Sequence, residues 1–181
     1  MRLVLALLLL PLAAQAQDVA CPAAPDNSAR VAELLQSLST AGDPAEAGLL
    51  SDQLWRIWTA APDAEAQRML DLGMALRQQY NLAGSRDMLS DLIAYCPDYA
   101  EGYNQRAFSA FLAQDYAAAL TDLDAALAIT PDHVAALSGK ALTLIGLQRD
   151  DEAQVVLREA VRLNPWLSER ALLRDPPGQD I

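Results

Sequence analysis

Two successive stretches of the sequence decide the fold. Residues 100–131 read AEGYNQRAFSAFLAQDYAAALTDLDAALAITP, and residues 134–165 read VAALSGKALTLIGLQRDDEAQVVLREAVRLNP. They can be laid over one another, and the prolines Pro97, Pro131 and Pro165 stand 34 residues apart. A fixed period of this length is typical of one supersecondary unit that repeats and buries its apolar face against the next copy. We therefore predict a helical repeat protein.

The composition predicts an all-α chain. The 181 residues are 52% hydrophobic, and Ala and Leu dominate while Val and Ile are sparse. Ala and Leu are strong helix formers, whereas β-branched residues favour strands. The length suits one domain rather than two ordinary ones.

The periodicity divides the chain into a stack of units with flanking segments. A weaker unit precedes the well-formed ones, since residues 28–63 keep a helix pair but lack most of the repeating residues. A last helix should cover the apolar face of the final unit. We assign a signal peptide (1–16), an extended segment (17–27), a degenerate first helical repeat (28–63), a second repeat (64–98), a third (100–133), a fourth (134–165), a short capping helix (166–174) and a flexible tail (175–181).

The N-terminus predicts export. Arg2 is followed by an apolar run from Leu3 to Leu10 and by the small-x-small exit Ala14-Gln15-Ala16, which is the pattern of a secretory signal peptide. A membrane anchor would need about 20 apolar residues, and this run is shorter. We expect cleavage after Ala16 and a periplasmic protein with no membrane span in the mature chain. Lipid modification at Cys21 is disfavoured, because Asp18 replaces the Leu that lipoprotein cleavage boxes carry three residues before the Cys.

The charge excludes nucleic acid as a partner. The formal net charge is −11, and it becomes −12 when Arg2 leaves with the signal peptide. Nucleic-acid binding requires a basic patch that replaces counterions, and the sequence has no basic run. The acidity keeps an exported monomer soluble, or it complements a basic surface on a partner.

Cys21 and Cys96 are the only cysteines. In an oxidising compartment such a pair can close a disulfide, and the bond would tether the N-terminal segment to the second repeat. The alternative is two independent thiols with Cys96 buried. We favour the disulfide.

The residues of each unit follow a consistent pattern of sizes. Gly73, Ala107 and Ala141 are small where the first helix of a pair must approach the second, and Ser85, Ala119 and Ala153 are small on the partner helix. Larger residues fill the space between pairs, and prolines end each second helix because the ring removes a backbone donor. The residues that carry this pattern are Met69, Leu72, Leu76, Leu89, Leu92 and Pro97 in the second unit, Tyr103, Ala110, Leu123, Ala126 and Pro131 in the third, and Leu137, Leu144, Leu157, Ala160 and Pro165 in the fourth.

This pattern resembles the tetratricopeptide repeat (TPR), well over residues 64–165 and weakly over residues 28–63. Arg106 and Lys140 depart from it, since they stand where leucine is usual. The resemblance implies a right-handed α-solenoid of about three and a half helix pairs with a short C-terminal capping helix. It also implies a concave groove, lined by the first helix of each pair, that binds an extended peptide or a helix.

Carried onto this chain, the resemblance places a set of first-helix residues in that groove. The alternative for the apolar ones is burial within a short, closed array. The predicted partner-binding residues are Gln67, Leu70, Asp71, Met74, Arg77, Glu101, Asn104, Gln105, Phe108, Phe111, Ala135, Ser138, Leu142 and Ile145. A carboxylate clamp of the kind found in one subset of the family is not expected, because Lys140 is the only lysine and lies at no clamp position.

The sequence predicts no catalytic residues, no metal site and no cofactor. His133 is the only histidine and stands in the connection before the fourth unit, where we interpret it as a helix-start or packing residue. The acidic pairs, such as Asp122 with Asp124, fall at helix starts or on outer faces rather than across a cleft. We therefore expect a non-enzyme.

The functional expectation is an exported adaptor that binds a protein or peptide partner in its groove. The first alternative is a structural component of a cell-envelope assembly that acts through its outer faces. A weaker one is an accessory domain or small-ligand binder that uses the aromatic-lined groove.

Overall fold

The computed structural model describes residues 20–174, and this part of the chain consists of helices and their connections, without strands. The predicted signal peptide and flexible tail lie outside the described residues. The helices are α1 (Ser28–Ser39), α2 (Pro44–Trp58), α3 (Ala64–Gln78), α4 (Leu82–Tyr95), α5 (Ala100–Leu112), α6 (Tyr116–Ile129), α7 (Val134–Gly146), α8 (Asp150–Leu163) and a closing 3-10 helix (Ser168–Leu172). The predicted all-α solenoid is confirmed.

The helices α3 to α8 form three stacked hairpins, which we call the stacked units. Within each, the first helix packs on the second, and each second helix packs on the first helix of the next hairpin. The first helices α3, α5 and α7 also touch one another in order. This arrangement gives a layer of first helices on one side, where the groove lies.

Small residues at the helix crossings make this stacking possible. Ala107, Ala119, Ala141 and Ala153 are fully buried. At Gly73 the approach is closest, because an added Cβ would lie 2.6 Å from Cγ of Leu89. Any larger side chain there must displace a core leucine.

The stacked units share one turn geometry. Tyr80, Gln114 and Gln148 each take a left-handed backbone conformation, with φ of 61°, 59° and 60°. These residues stand at the same position in three successive units, two residues before the second helix begins. The left-handed region costs energy for a residue with a Cβ. Because the conformation recurs at three equivalent positions, the turn is a regular feature of the repeat.

Arg106 and Lys140, which stand where leucine is usual, each form an ion pair with an aspartate of α6. Arg106 donates to both carboxylate oxygens of Asp122 at 2.8 and 2.6 Å and also reaches Oγ of Ser90 at 3.0 Å. These bonds raise the pKa of Arg106, because Asp122 favours its charged form. One unit later, Lys140 pairs with Asp124 at 2.6 Å. A cation that pairs with α6 therefore replaces a leucine at both positions.

The helix pair α1–α2, here called the N-terminal hairpin, packs differently. A repeat that followed the sequence order would stack on the second unit. In the structure its buried leucines form one apolar cluster with the fourth unit, and α1 lies on α8. The members from the hairpin are Val31, Leu34, Leu35, Leu38, Ala47 and Leu54, and those from the fourth unit are Val134, Leu137, Ala160 and Leu163.

The hairpin supplements the predicted C-terminal cap. The last helix of a solenoid leaves an apolar face without a following repeat, and the 3-10 helix that follows α8 has only five residues. Gln154 of α8 fixes this closing segment through hydrogen bonds with Leu172 and Arg174. The leucines of α1 add cover on α8, so both termini contribute to the C-terminal end.

A disulfide joins Cys21 to Cys96, with a Cα–Cα distance of 5.2 Å across 75 positions of sequence. It fixes the segment before α1 to the connection between α4 and α5. None of the helices within residues 20–174 is long and apolar enough to cross a membrane.

Candidate functional site: the groove and the buried network behind it

The first helices and two flanking segments enclose an apolar groove of about 330 Å³. Its most accessible aromatic residues are Phe108, which is 47% exposed, and Trp55, which is 41% exposed. The predicted residues that the structure brings together here are Arg77, Asn104, Gln105, Phe108, Phe111, Ala135, Ser138 and Leu142. The fold therefore assembles side chains of three successive first helices into one concave surface.

Other predicted groove residues lie elsewhere. Leu70 is fully buried in the core of the second unit, where it cannot contact a partner, and Met74 packs against that core. Gln67 accepts a hydrogen bond from the backbone of Ala61 and donates to Asp71, both at 2.9 Å. Gln67 thereby fixes the connection between α2 and α3, and neither of these two polar residues lines the groove.

Sequence reasoning missed the groove residues that come from outside the stacked units. Trp55 comes from α2, and Leu167 and Glu169 come from the closing segment. They belong to segments that flank the stacked units, so the repeat pattern could not place them. One signal was present in the sequence, since an unexplained pair of tryptophans stands in the weakly matching first unit.

Glu101 lies behind the groove at the centre of a buried network. Its carboxylate oxygen Oε2 is 2.8 Å from Nε2 of His133 and 3.0 Å from Nδ2 of Asn104, which donates to it. The side-chain amide of Gln105 donates to the other oxygen. Glu101 and His133 are each 1% exposed. Bonds from three side chains compensate the cost of burying this acid.

His133 begins α7 as well as joining this network. Its Nδ1 accepts the backbone N–H of Ala136 at 3.3 Å, so the ring proton sits on Nε2 and is donated to Glu101. The prediction of a helix-start or packing histidine therefore describes what the structure shows. Trp58 stacks on the ring, and both members of the Glu101–His133 pair are almost fully buried.

Arg77 connects the network to the groove. Its Nη1 donates to the side-chain oxygen of Gln105, and its guanidinium lies 4.5 Å from the centre of the Phe108 ring. Burial lowers the pKa of Arg77, and the charge of Glu101 opposes that shift. The groove thus presents aromatic and aliphatic walls with one half-buried cation.

Trp58, at the end of the N-terminal hairpin, rests on two of the stacked units. Its ring stacks on His133 with centroids 4.2 Å apart and planes at 18°. Its backbone oxygen accepts the hydroxyl of Tyr99 at 2.9 Å. Burial raises the pKa of that hydroxyl, which stays protonated and able to donate.

A second cleft of about 530 Å³ lies between the N-terminal segment and the start of α5 and α7. The residues that form it include Pro25, Trp58, Tyr99 and Asp132. Within residues 20–174 no group of three or more His, Cys, Asp or Glu side chains is placed to hold a metal ion.

Comparison with known proteins agrees with this architecture. Residues 110–166 match the model of a tetratricopeptide repeat family. A TPR repeat-containing protein of Rhizobium etli is 29% identical over 115 residues, which are 64% of this chain and 56% of that protein. The chain thus spans just over half the length of this curated relative.

Solved structures show the same fold. The first TPR of Spaghetti (RPAP3), bound to an HSP90 peptide of sequence SRMEEVD, gives a TM-score of 0.59 at 21% identity, covering 61% of this chain and 88% of that one. The TPR2B domain of yeast Sti1, in a complex with pHsp70, gives 0.57 at 19% identity, covering 61% and 90%. These likenesses establish a tetratricopeptide-type helical solenoid.

Proposed function

We propose that the protein is an exported, non-catalytic TPR adaptor that binds a protein or peptide partner in its groove. The observation that carries this proposal is the exposure of Phe108 within a largely apolar concave surface. Large aromatic residues that stay accessible in a concavity are typical of binding sites rather than of packing. Two solved structures of similar fold, one bound to an HSP90 peptide and one in a complex with pHsp70, support the same interpretation.

The size and charge of the groove favour a short anchor from the partner. A volume of about 330 Å³ is at the lower end for a ligand pocket. One or two bulky apolar side chains of an extended segment fit such a space better than a whole helix. The strongly acidic chain favours a partner whose remaining surface is basic.

The export part of the proposal rests on the N-terminal sequence, and the disulfide supports it. Disulfides form and persist in oxidising compartments such as the periplasm. A mass measurement of protein purified from cells tests this part. We expect a chain that starts at Gln17 and is two hydrogen atoms lighter than its reduced form. An uncleaved chain with two free thiols would contradict export.

Capture from a cell-envelope extract tests groove binding, with Phe108→Ala as the probe. Its matched control is Val155→Ala, which shortens a 67% exposed residue of α8 outside the groove. We expect a stoichiometric partner that is retained by the control. Calorimetry with the purified partner should show binding about tenfold or more weaker for Phe108→Ala, since buried aromatic anchors carry much of an interface's energy.

The same experiment distinguishes groove binding from the alternative, a structural component of an envelope assembly. Loss of the partner with Val155→Ala, but not with Phe108→Ala, would assign binding to an outer face and favour a structural part of an envelope assembly. Retention of the partner by both variants would exclude Phe108 as an anchor.

A further inference from the structure

The end of the N-terminal hairpin touches equivalent positions in two successive units. Tyr99 and His133 stand 34 residues apart, each directly before a first helix. Trp58 accepts the hydroxyl of Tyr99 and stacks on the ring of His133. The position of this tryptophan is therefore tied to the starts of both α5 and α7.

From His133 an unbroken chain of polar contacts leads into the groove. The imidazole bonds Glu101, and Glu101 accepts from the amide of Gln105. The oxygen of that same amide accepts from Arg77, which lies over Phe108. Arg77 and Phe108 are the charged and the most exposed aromatic members of the groove wall that the first helices supply.

The geometry leaves these groups little freedom to move independently. The amide of Gln105 donates at one end and accepts at the other, so its rotation would break both bonds. Gln105 is 2% exposed, and Glu101 and His133 are 1% exposed, so these groups form their hydrogen bonds with one another rather than with bulk water. Buried networks of this kind strengthen cooperatively, and an unsatisfied member is costly.

We propose that Trp58 is a positioning residue of the groove. By holding the His133 ring it fixes Glu101 and Gln105, and through them it sets the arrangement of Arg77 and Phe108 that a partner meets. The N-terminal hairpin thus acts on the groove in two ways. Trp58 sets the positions of groove residues through the buried network, and Trp55 lines the groove directly. This inference deepens the proposed groove function and rests on it.

The test compares two tryptophan substitutions in the free protein. Trp58→Leu removes the stacking on His133, whereas Trp166→Leu removes a tryptophan from the same apolar cluster outside the groove lining. The readout is the exchange of the Arg77 guanidinium protons with solvent, measured by NMR. A purely structural role of the hairpin would not single out these protons.

We expect exchange at Arg77 to accelerate by about tenfold or more in Trp58→Leu, because the restraint on Gln105 is lost, and by less than about twofold in Trp166→Leu. Unchanged exchange in a folded Trp58→Leu variant would overturn the proposal. Equal acceleration in both variants would overturn it as well, because it would reflect general loosening.

Tyr99→Phe provides a milder perturbation if Trp58→Leu does not fold. It deletes one hydroxyl and its bond to the Trp58 backbone. We expect a smaller acceleration of proton exchange at Arg77. Unchanged exchange at Arg77 in this variant would count against the proposal. Since no partner is present, failure here is distinct from failure of groove binding, which the Phe108→Ala capture reports.

Discussion

The stacked units and the N-terminal hairpin are both antiparallel helix pairs, but they are built differently. Each stacked unit turns through a left-handed residue, at Tyr80, Gln114 or Gln148. The hairpin turns at Gly42 and Asp43, with the Asp43 side chain capping α2 through the N–H groups of Ala45 and Glu46. Within residues 20–174 the hairpin has no left-handed non-glycine residue.

The two regions also hold their places by different means. Small residues repeat at every crossing of the stacked units, so their order follows from the period itself. The hairpin docks through individual contacts, including the leucines of α1 and the stacking of Trp58 on His133. Residues that repeat with the period therefore specify the stacked units. Contacts that occur only once specify where the N-terminal hairpin docks.

Removal of the disulfide should have the largest effect, because its loop holds the whole hairpin and the second unit. Cys21→Ser should lower the free energy of unfolding by about 4 kcal/mol in the chain-entropy account of a loop of this length. Urea unfolding measures the loss. Reducing agent should destabilise the wild type equally and leave the variant unchanged. A loss below about 1 kcal/mol would show that other contacts hold the segment.

Matched core truncations compare the two regions directly. Leu38→Ala and Leu89→Ala each shorten a fully buried leucine, one in α1 and one in α4. Each should cost about 3 kcal/mol. Hydrogen exchange should separate them, since Leu38→Ala should open the hairpin before the stacked units. Uniform loss of protection in both variants would contradict a separate role for the hairpin.

Replacing a glycine with alanine should change the stability in opposite directions in the two regions. An added Cβ at Gly73 would overlap Leu89, whereas at Gly48 of α2 it meets nothing within 4 Å. Gly73→Ala should destabilise by about 1 kcal/mol, because overpacking exceeds the gain in helix propensity. Gly48→Ala should stabilise by up to about 1 kcal/mol. Thermal unfolding of the two variants checks the sign, and stabilisation by Gly73→Ala would refute the tight crossing.

The repeating turn predicts the smallest effect. Gln114→Gly relieves the left-handed strain but frees the unfolded chain, so we expect a gain of at most about 1 kcal/mol. Gln79→Gly is the control, because φ at Gln79 is −81° and glycine relieves nothing there. The control should be neutral or destabilising in the same unfolding assay. A destabilised Gln114→Gly would show that its side chain contributes more than the strain costs.

The sequence was sufficient for the features that repeat. The period predicted the three stacked hairpins, and the small residues predicted their crossings. The TPR resemblance placed Arg77, Phe108, Phe111 and Leu142 on one surface, which the structure shows as the groove. It misplaced Leu70, because the width of a first helix's apolar face does not tell which of its residues turns into the core.

The remaining features depend on contacts that no period encodes. The N-terminal hairpin has few of the consensus residues that direct stacking. Its leucines pack instead on the face of α8 that no following repeat covers, far along the chain. Glu101 and His133 are 32 residues apart, close to but not at the repeat spacing, so no periodic pattern pairs them. Both features followed only from the tertiary arrangement.

The docking of the N-terminal hairpin is the central claim, and methyl NOE spectroscopy tests it most directly. We predict NOEs from the leucine methyls of α1 (Leu34, Leu35 and Leu38) to methyls of Val134 or Leu163 in the fourth unit. NOEs from those leucines to Leu70 of the second unit, with none to the fourth, would contradict the account, because the hairpin would then stack in sequence order.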